Sequence, residues 1–210
     1  MDLENLSIYD DRGNHLGVAS RSKVHSKGYW HETFHCWFIS REGGKDYIHF
    51  QIRSGQKKDY PNLLDISAAG HILSSESVAD GIREVQEELG IKVSFKELIP
   101  LGVIKDEIIQ GDFIDRELGN VFLYISKEEL EERYKFQVEE VTGVIKIEFN
   151  SFYDLWIGRN DKIEASGIEV NNHGEKERID KIVKKKDFLP HDESYIINVL
   201  NLIDRELKNI

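Results

Sequence analysis

Glu84, Glu87 and Glu88 stand at i, i+3 and i+4, with Asp80 one turn earlier. On a helix that spacing gathers the carboxylates on one face, where like charges repel. Arg83 is the basic residue inside the segment, placed to pair with Glu87 at i+4 or to reach back to Glu76. A solvated acidic face ordinarily interleaves lysine or arginine, so three converging carboxylates point to a bound cation. Oxygen ligands completed by water suit Mg2+ or Mn2+ rather than zinc. The element that must present them is a helix over 77–89, ended by Gly90. Its apolar residues Val78, Ile82, Val85 and Leu89 fall within an arc of about 60° and form the face toward the core.

The rest of the chain reads as one α+β domain of 210 residues, 40% hydrophobic and without repeats or a linker. NLSIY and HLGVAS predict an N-terminal hairpin over 1–29, followed by a polar link. TFHCWFIS and DYIHFQIR, joined by EGGK, predict a second hairpin. LLDISAAGHIL predicts a short strand before the helix, and KVSFKELIPLGVI and EIIQGDFIDRELGNVFLYIS predict strands after it. KEELEERY reads as a short acidic helix, EEVTGVIKIEF as a strand and SFYDLWIG as a short helix. Residues 161–210 predict a hairpin, KIEASGIEV with EKERIDKIV, and an amphipathic helix capped by Asp192 with Ile196, Val199, Leu200, Ile203 and Leu207 on one face.

The segment from Gly70 to Ile91 resembles the Nudix box, G-x5-E-x7-R-E-U-x-E-E-x-G-U with U aliphatic. Gly70, Glu76, Arg83, Glu84, Val85, Glu87, Glu88, Gly90 and Ile91 occupy its fixed positions, with six residues instead of seven between Glu76 and Arg83. The resemblance implies the Nudix fold, a mixed β-sheet in an α/β/α sandwich, over roughly 30–160, extended by the N-terminal hairpin and the C-terminal segment. It implies attack of water on the phosphorus of a small-molecule diphosphate, in a nucleoside diphosphate derivative or a prenyl or sugar diphosphate. Divalent cations held by Glu84, Glu87 and Glu88 would neutralise the diphosphate and lower the pKa of the attacking water. Glu88, Glu117, Glu139 and Glu140 are candidates for the general base. Arg53, Lys57 and Lys58 either hold phosphate oxygens or decorate a solvated turn.

Within that superfamily the chain also resembles isopentenyl-diphosphate isomerase. His25 and His31 before TFHCWFI resemble its first two metal-binding histidines, and His71 in AGH resembles the third. Glu117, with Asp115 two residues before it, falls where that enzyme has acidic ligands, and such a set would suit Mn2+ or Mg2+. His25 and His31 are separated by five residues where the isomerase has six, and His35 competes for the second place. The isomerase's cysteine is replaced by Ala69, which carries no exchangeable side-chain proton. Tyr29 and Trp30 are expected in the core, and Cys36 as a buried thiol.

Three functions follow in order: a Nudix-type pyrophosphohydrolase, an isomerase, and a nucleotide-binding module without turnover. Asp plus Glu outnumber Lys plus Arg by 39 to 28, for a net charge of -11, which disfavours nucleic acid as a partner. No apolar run is long enough for a membrane span. The single cysteine and the polar N-terminus read as cytoplasmic, and a homodimer is the expected assembly.

Overall fold

The computed structural model describes residues 4–111 and 113–209; Met1–Leu3, Asp112 and Ile210, which fall in the predicted N-terminal arm, strand and C-terminus, lie outside them. The N-terminal hairpin consists of β1 (Asn5–Tyr9) and β2 (His15–Ser20). The polar link after it is not extended: Arg21–Lys27 fold as helix α1, closed by Gly28 in the left-handed conformation. One apolar residue in seven hides that helix from periodicity, and its packing on the sheet makes it.

β3 (Trp30–Glu42) and β4 (Lys45–Arg53) pair antiparallel only from Phe38 to Glu42 and then separate. The predicted single strand after them is two, β5 (Leu64–Ile66) on β4 and β6 (Ala68–His71) on β3, wedged into the fork. Ser67, between them, holds the fork: its hydroxyl donates to His49 O at 2.6 Å and accepts from Phe38 N at 2.9 Å. It thereby satisfies backbone groups that diverging strands would otherwise bury unpaired.

The predicted helix over 77–89 is shorter. Val78–Ile82 is a 3-10 turn, with Ser77 and Asp80 forming a capping box, and the α-helix α2 runs from Arg83 to Leu89. Gly81 in that turn lies against Phe34, which leaves no room for a side chain. The segments after the helix also differ: Phe95–Glu97 is a 3-10 turn, and β7 begins at Ile99 and runs to Gln110. β8 (Phe113–Ser126) pairs antiparallel with β7 and parallel with β3 along Trp30–Ser40. KEELEERY yields only a 3-10 turn at Glu131–Arg133.

β9 (Val141–Glu148) covers the far edge of β4, and β10 (Ile163–Val170) with β11 (Lys176–Val183) extends the same sheet. α3 (Phe149–Trp156) and α4 (Glu193–Leu207), capped by Asp192, pack on one face. Alternation along β3 divides the core. Trp37 and Ile39 join Phe152, Trp156, Val199, Leu200 and Ile203 on the α3–α4 side. Phe34, Cys36 and Phe38 join Val85, Leu89 and Phe122 on the α2 side. Full burial of each aliphatic chain contributes about 1.5–3 kcal/mol, so helices are held on both faces of the mixed sheet. Cys36 is buried in this core; Trp30 is buried outside it, at the start of β3, where its indole donates to Asp11.

Candidate active site

Gly70 in β6 lies against Glu84, and a Cβ there would collide with the Glu84 carboxylate. Gly90 closes α2 in the left-handed conformation, φ 68°, which a side chain resists. Arg83 organises what lies between. Its Nε donates to Glu76 Oε1 at 2.8 Å and its Nη2 to Glu76 Oε2 at 3.2 Å and His71 O at 3.1 Å. Nη1 donates to Glu84 Oε1 at 2.5 Å and Glu87 Oε2 at 3.1 Å. Both partners foreseen for Arg83 are therefore used. Glu76 also accepts from Leu73 N at 2.9 Å, so it braces loop to helix although the connection is one residue short. The 3-10 turn explains this, because it rises about 2.0 Å per residue against 1.5 Å in an α-helix.

Glu88 is buried, and its Oε2 accepts from Gln51 Nε2 at 3.2 Å and from Ala69 N at 3.3 Å. Burial, with Glu84 beside it, pushes Glu88 up to about 8. Burial also pushes Glu84 up to about 7, Arg83 opposing and Glu87 adding to the rise. Two such carboxyls ionise together at neutral pH when a cation lies against them, which is what this donor set fits.

A pH effect follows. In the unfolded chain both groups titrate near 4.5, so the fold holds their protons longer. Their contribution to stability is full below that value and is lost as pH rises through about 7 and about 8. His191, raised from 6.5 to about 10, acts in the same direction over its own interval. In EDTA the melting temperature should fall by about 4–8 °C between roughly pH 6.5 and 8.5, and excess Mg2+ should stabilise increasingly toward the alkaline end. A flat or rising EDTA curve in differential scanning fluorimetry would contradict this reading.

The histidines converge as well. α1 supplies His25, the start of β3 His31 and the end of β6 His71, with one ligating atom from each within 4.8 Å of the others. His31, Asp115 and Glu117 form a second such group. Asp115 Oδ1 lies 3.4 Å from His25 Nε2 and 3.5 Å from His31 Nε2. The five-residue separation of His25 and His31 is absorbed because the link coils as α1. The Nε2 atoms of all three histidines and Asp115 Oδ1 are buried with no hydrogen-bond partner. Each such atom costs about 1–3 kcal/mol when left unmet, and four of them in one cluster fit a divalent cation.

The outer ring nitrogens are turned elsewhere. His31 Nδ1 lies 3.2 Å from Tyr29 O, and His71 Nδ1 lies 3.4 Å from Glu4 Oε2. Burial, with His71 adding to it, holds His31 down at about 3, neutral and with a lone pair to offer. Burial works against the charge of Asp115, but His25 and His31 outweigh it and leave the carboxyl at about 2.

Both clusters line one cleft of about 880 Å³, together with Arg53, Lys57, Lys58, Glu117, Glu139 and Glu140. Arg53 borders that space with three of its five guanidinium N–H groups already engaged within the protein. Nε donates to Tyr60 O at 2.9 Å, Nη1 to Asp65 Oδ2 at 2.7 Å and Nη2 to Asp59 O at 2.8 Å. These bonds brace the 54–62 loop, in which Tyr60 and Asn62 take left-handed φ of 52° and 64°. Lys57 reaches the rim, its Nζ 2.5 Å from Glu140 Oε2.

Sequence reading missed His191, which lies between Asp106 Oδ2 at 2.5 Å and Asp65 Oδ1 at 3.0 Å. Burial favours its neutral ring, but the two carboxylates raise it to about 10. Burial likewise opposes the charge of Asp65, and His191 and Arg53 hold it well below the usual carboxylate range. The sequence LPHD carries no periodicity that would single this histidine out.

No family model matches the chain. An uncharacterised Nudix hydrolase of Clostridium acetobutylicum is 43% identical over 203 residues, covering 97% of this chain and 98% of that protein. Nudix hydrolase 3 of Arabidopsis thaliana is 26% identical over 191 residues, 89% of this chain but 24% of that longer protein. Among solved structures, a Deinococcus radiodurans protein superposes with TM-score 0.55 at 18% identity, covering 74% of this chain and 90% of that one, a likeness of fold. Near-complete alignment at 43% identity, on a chain whose box residues meet as described, places this protein in the Nudix hydrolase family, as a pyrophosphohydrolase.

Proposed function

We propose that the protein hydrolyses the diphosphate linkage of a small molecule, a nucleoside diphosphate derivative or a prenyl or sugar diphosphate, with the aid of Mg2+ or Mn2+. The observation that carries this is the pairing of half-buried Glu84 with buried Glu88, pushed up to about 7 and about 8, with Glu84 tied through Arg83 to Glu76 and Glu87. Glu84, Glu87 and Glu88 would hold the cation, which when bound neutralises diphosphate oxygens and acidifies the attacking water. Arg83 orients the carboxylates. Lys57 and Lys58 line the cleft where phosphate oxygens need countercharge. A carboxylate takes the proton from water as its oxygen joins phosphorus and the bridging P–O bond breaks; Glu88, Glu117, Glu139 and Glu140 all border the cleft.

His25, His31, His71, Asp115 and Glu117 would hold a second cation, and the isomerase reading rests on this set alone. Ala69 opposes it: its backbone N–H is directed at Glu88, and its methyl side chain cannot move a proton. Phosphorus NMR in Mg2+ or Mn2+, with isopentenyl diphosphate and a panel of nucleoside diphosphate derivatives, separates the readings. Hydrolysis should release phosphate or a monophosphate and stop in EDTA. A shifted isopentenyl double bond without phosphate release would install the isomerase. Calorimetric binding without product under either metal would indicate a binding module.

A further inference from the structure

His35 takes no place among the clustered histidines. It is buried on β3, with Nδ1 2.7 Å from the Tyr195 hydroxyl and Nε2 3.0 Å from Glu117 Oε2 and 3.0 Å from Thr33 Oγ1. Tyr195 is 1% exposed in the first turn of α4 and meets the imidazole edge-on, ring centres 5.6 Å apart. Gly119 on β8 makes room for the ring, since a Cβ there would lie 2.9 Å from His35 Nδ1. A neutral imidazole has one donor and one acceptor, and an ionised carboxylate only accepts. With the ring neutral and Glu117 ionised, the chain of contacts runs one way: the Tyr195 O–H donates to Nδ1, the ring proton sits on Nε2, and Nε2–H donates to Glu117. The opposite tautomer would set a nitrogen lone pair against the carboxylate.

We propose that Tyr195 and His35 are positioning residues for Glu117, holding one carboxylate oxygen so that the other is presented to the histidine cluster, and that α4 is thereby part of the site. This rests on the second-cation reading of His25, His31, His71 and Asp115, whose unpartnered atoms stand beside Glu117. Partners behind a metal ligand typically tune affinity about 10–100-fold.

The test uses the full chain and Mn2+ alone, with free Mn2+ followed by electron paramagnetic resonance. His71→Ala should abolish the tight site, which ties the signal to this cluster. Tyr195→Phe, which removes one oxygen and keeps the ring, should weaken Mn2+ by about 10-fold, close to the loss from Glu117→Gln. His35→Gln can donate from its amide without help from Tyr195; it should bind within about threefold of wild type, and adding Tyr195→Phe to it should cost nothing more. Near-UV circular dichroism confirms folding of each variant. Wild-type Mn2+ affinity in Tyr195→Phe, even with a lowered melting temperature, would overturn the proposal and leave Tyr195 a packing residue. Failure of the unaltered protein to bind Mn2+, or indifference of binding to His71→Ala, would overturn the second-cation reading and the proposal with it, whatever the diphosphate assay shows.

Discussion

Glu88→Gln should lower hydrolysis by about 10²–10⁴-fold while leaving the fold intact and, at alkaline pH without metal, more stable. The two effects have one cause. Glu88 is buried, and burial pushes its carboxyl up to about 8, so the ionised form that a cation needs is the form the fold resists. Glutamine keeps an oxygen that can accept from Gln51 Nε2 and Ala69 N, so neither of those buried donors loses its acceptor. It removes the charge, and with it the affinity for a divalent cation and any capacity to take a proton from water. Hydrolysis at saturating Mg2+, beside thermal melts at about pH 8 in EDTA, gives both numbers. Undiminished turnover in Glu88→Gln would remove Glu88 from the machinery.

Arg53→Ala should cost about 3–5 kcal/mol, because it leaves a buried carboxylate short of its partner. Arg53 and Asp65 are 2.7 Å apart with side chains 13% and 5% exposed, and Asp65 also holds His191. Removing the guanidinium frees the carbonyls of Asp59 and Tyr60 as well, and the left-handed Tyr60 and Asn62 lose the clamp that opposes their relaxation. Lysine should not rescue, since one ammonium cannot reproduce a fork that spans a carboxylate and two carbonyls. Equilibrium denaturation in urea measures the loss. A direct substrate contact would behave differently, raising KM with stability unchanged, and that result would return Arg53 to the phosphate-binding role its position in the chain first suggested.

Much of the frame was legible because it is written in neighbours. The shared face of Glu84, Glu87 and Glu88 follows from i, i+3 and i+4 spacing, the end of α2 from Gly90, and the start of α4 from Asp192, whose side chain accepts from Ser194 N. The hairpin turns were marked by Gly13 and by Gly43 with Gly44, all at positive φ. In each case the deciding interaction lies within about four residues, so residue type and spacing suffice.

Other features were settled by contacts that cross the chain. α1 forms because it docks, not because seven largely polar residues favour a helix, and the 3-10 turn before α2 exists because Gly81 must lie on Phe34. His31 stands beside Glu117 through the parallel register of β3 on β8, which a shift of one residue would reverse. Arg53 looked free in sequence and is held by Asp65, and His35 meets a tyrosine 160 positions away. Local sequence determined which residues could share a helix face or a turn. Only the tertiary structure decided which buried polar atoms found partners, because burial makes an unmet donor or acceptor costly and burial is a property of the whole fold.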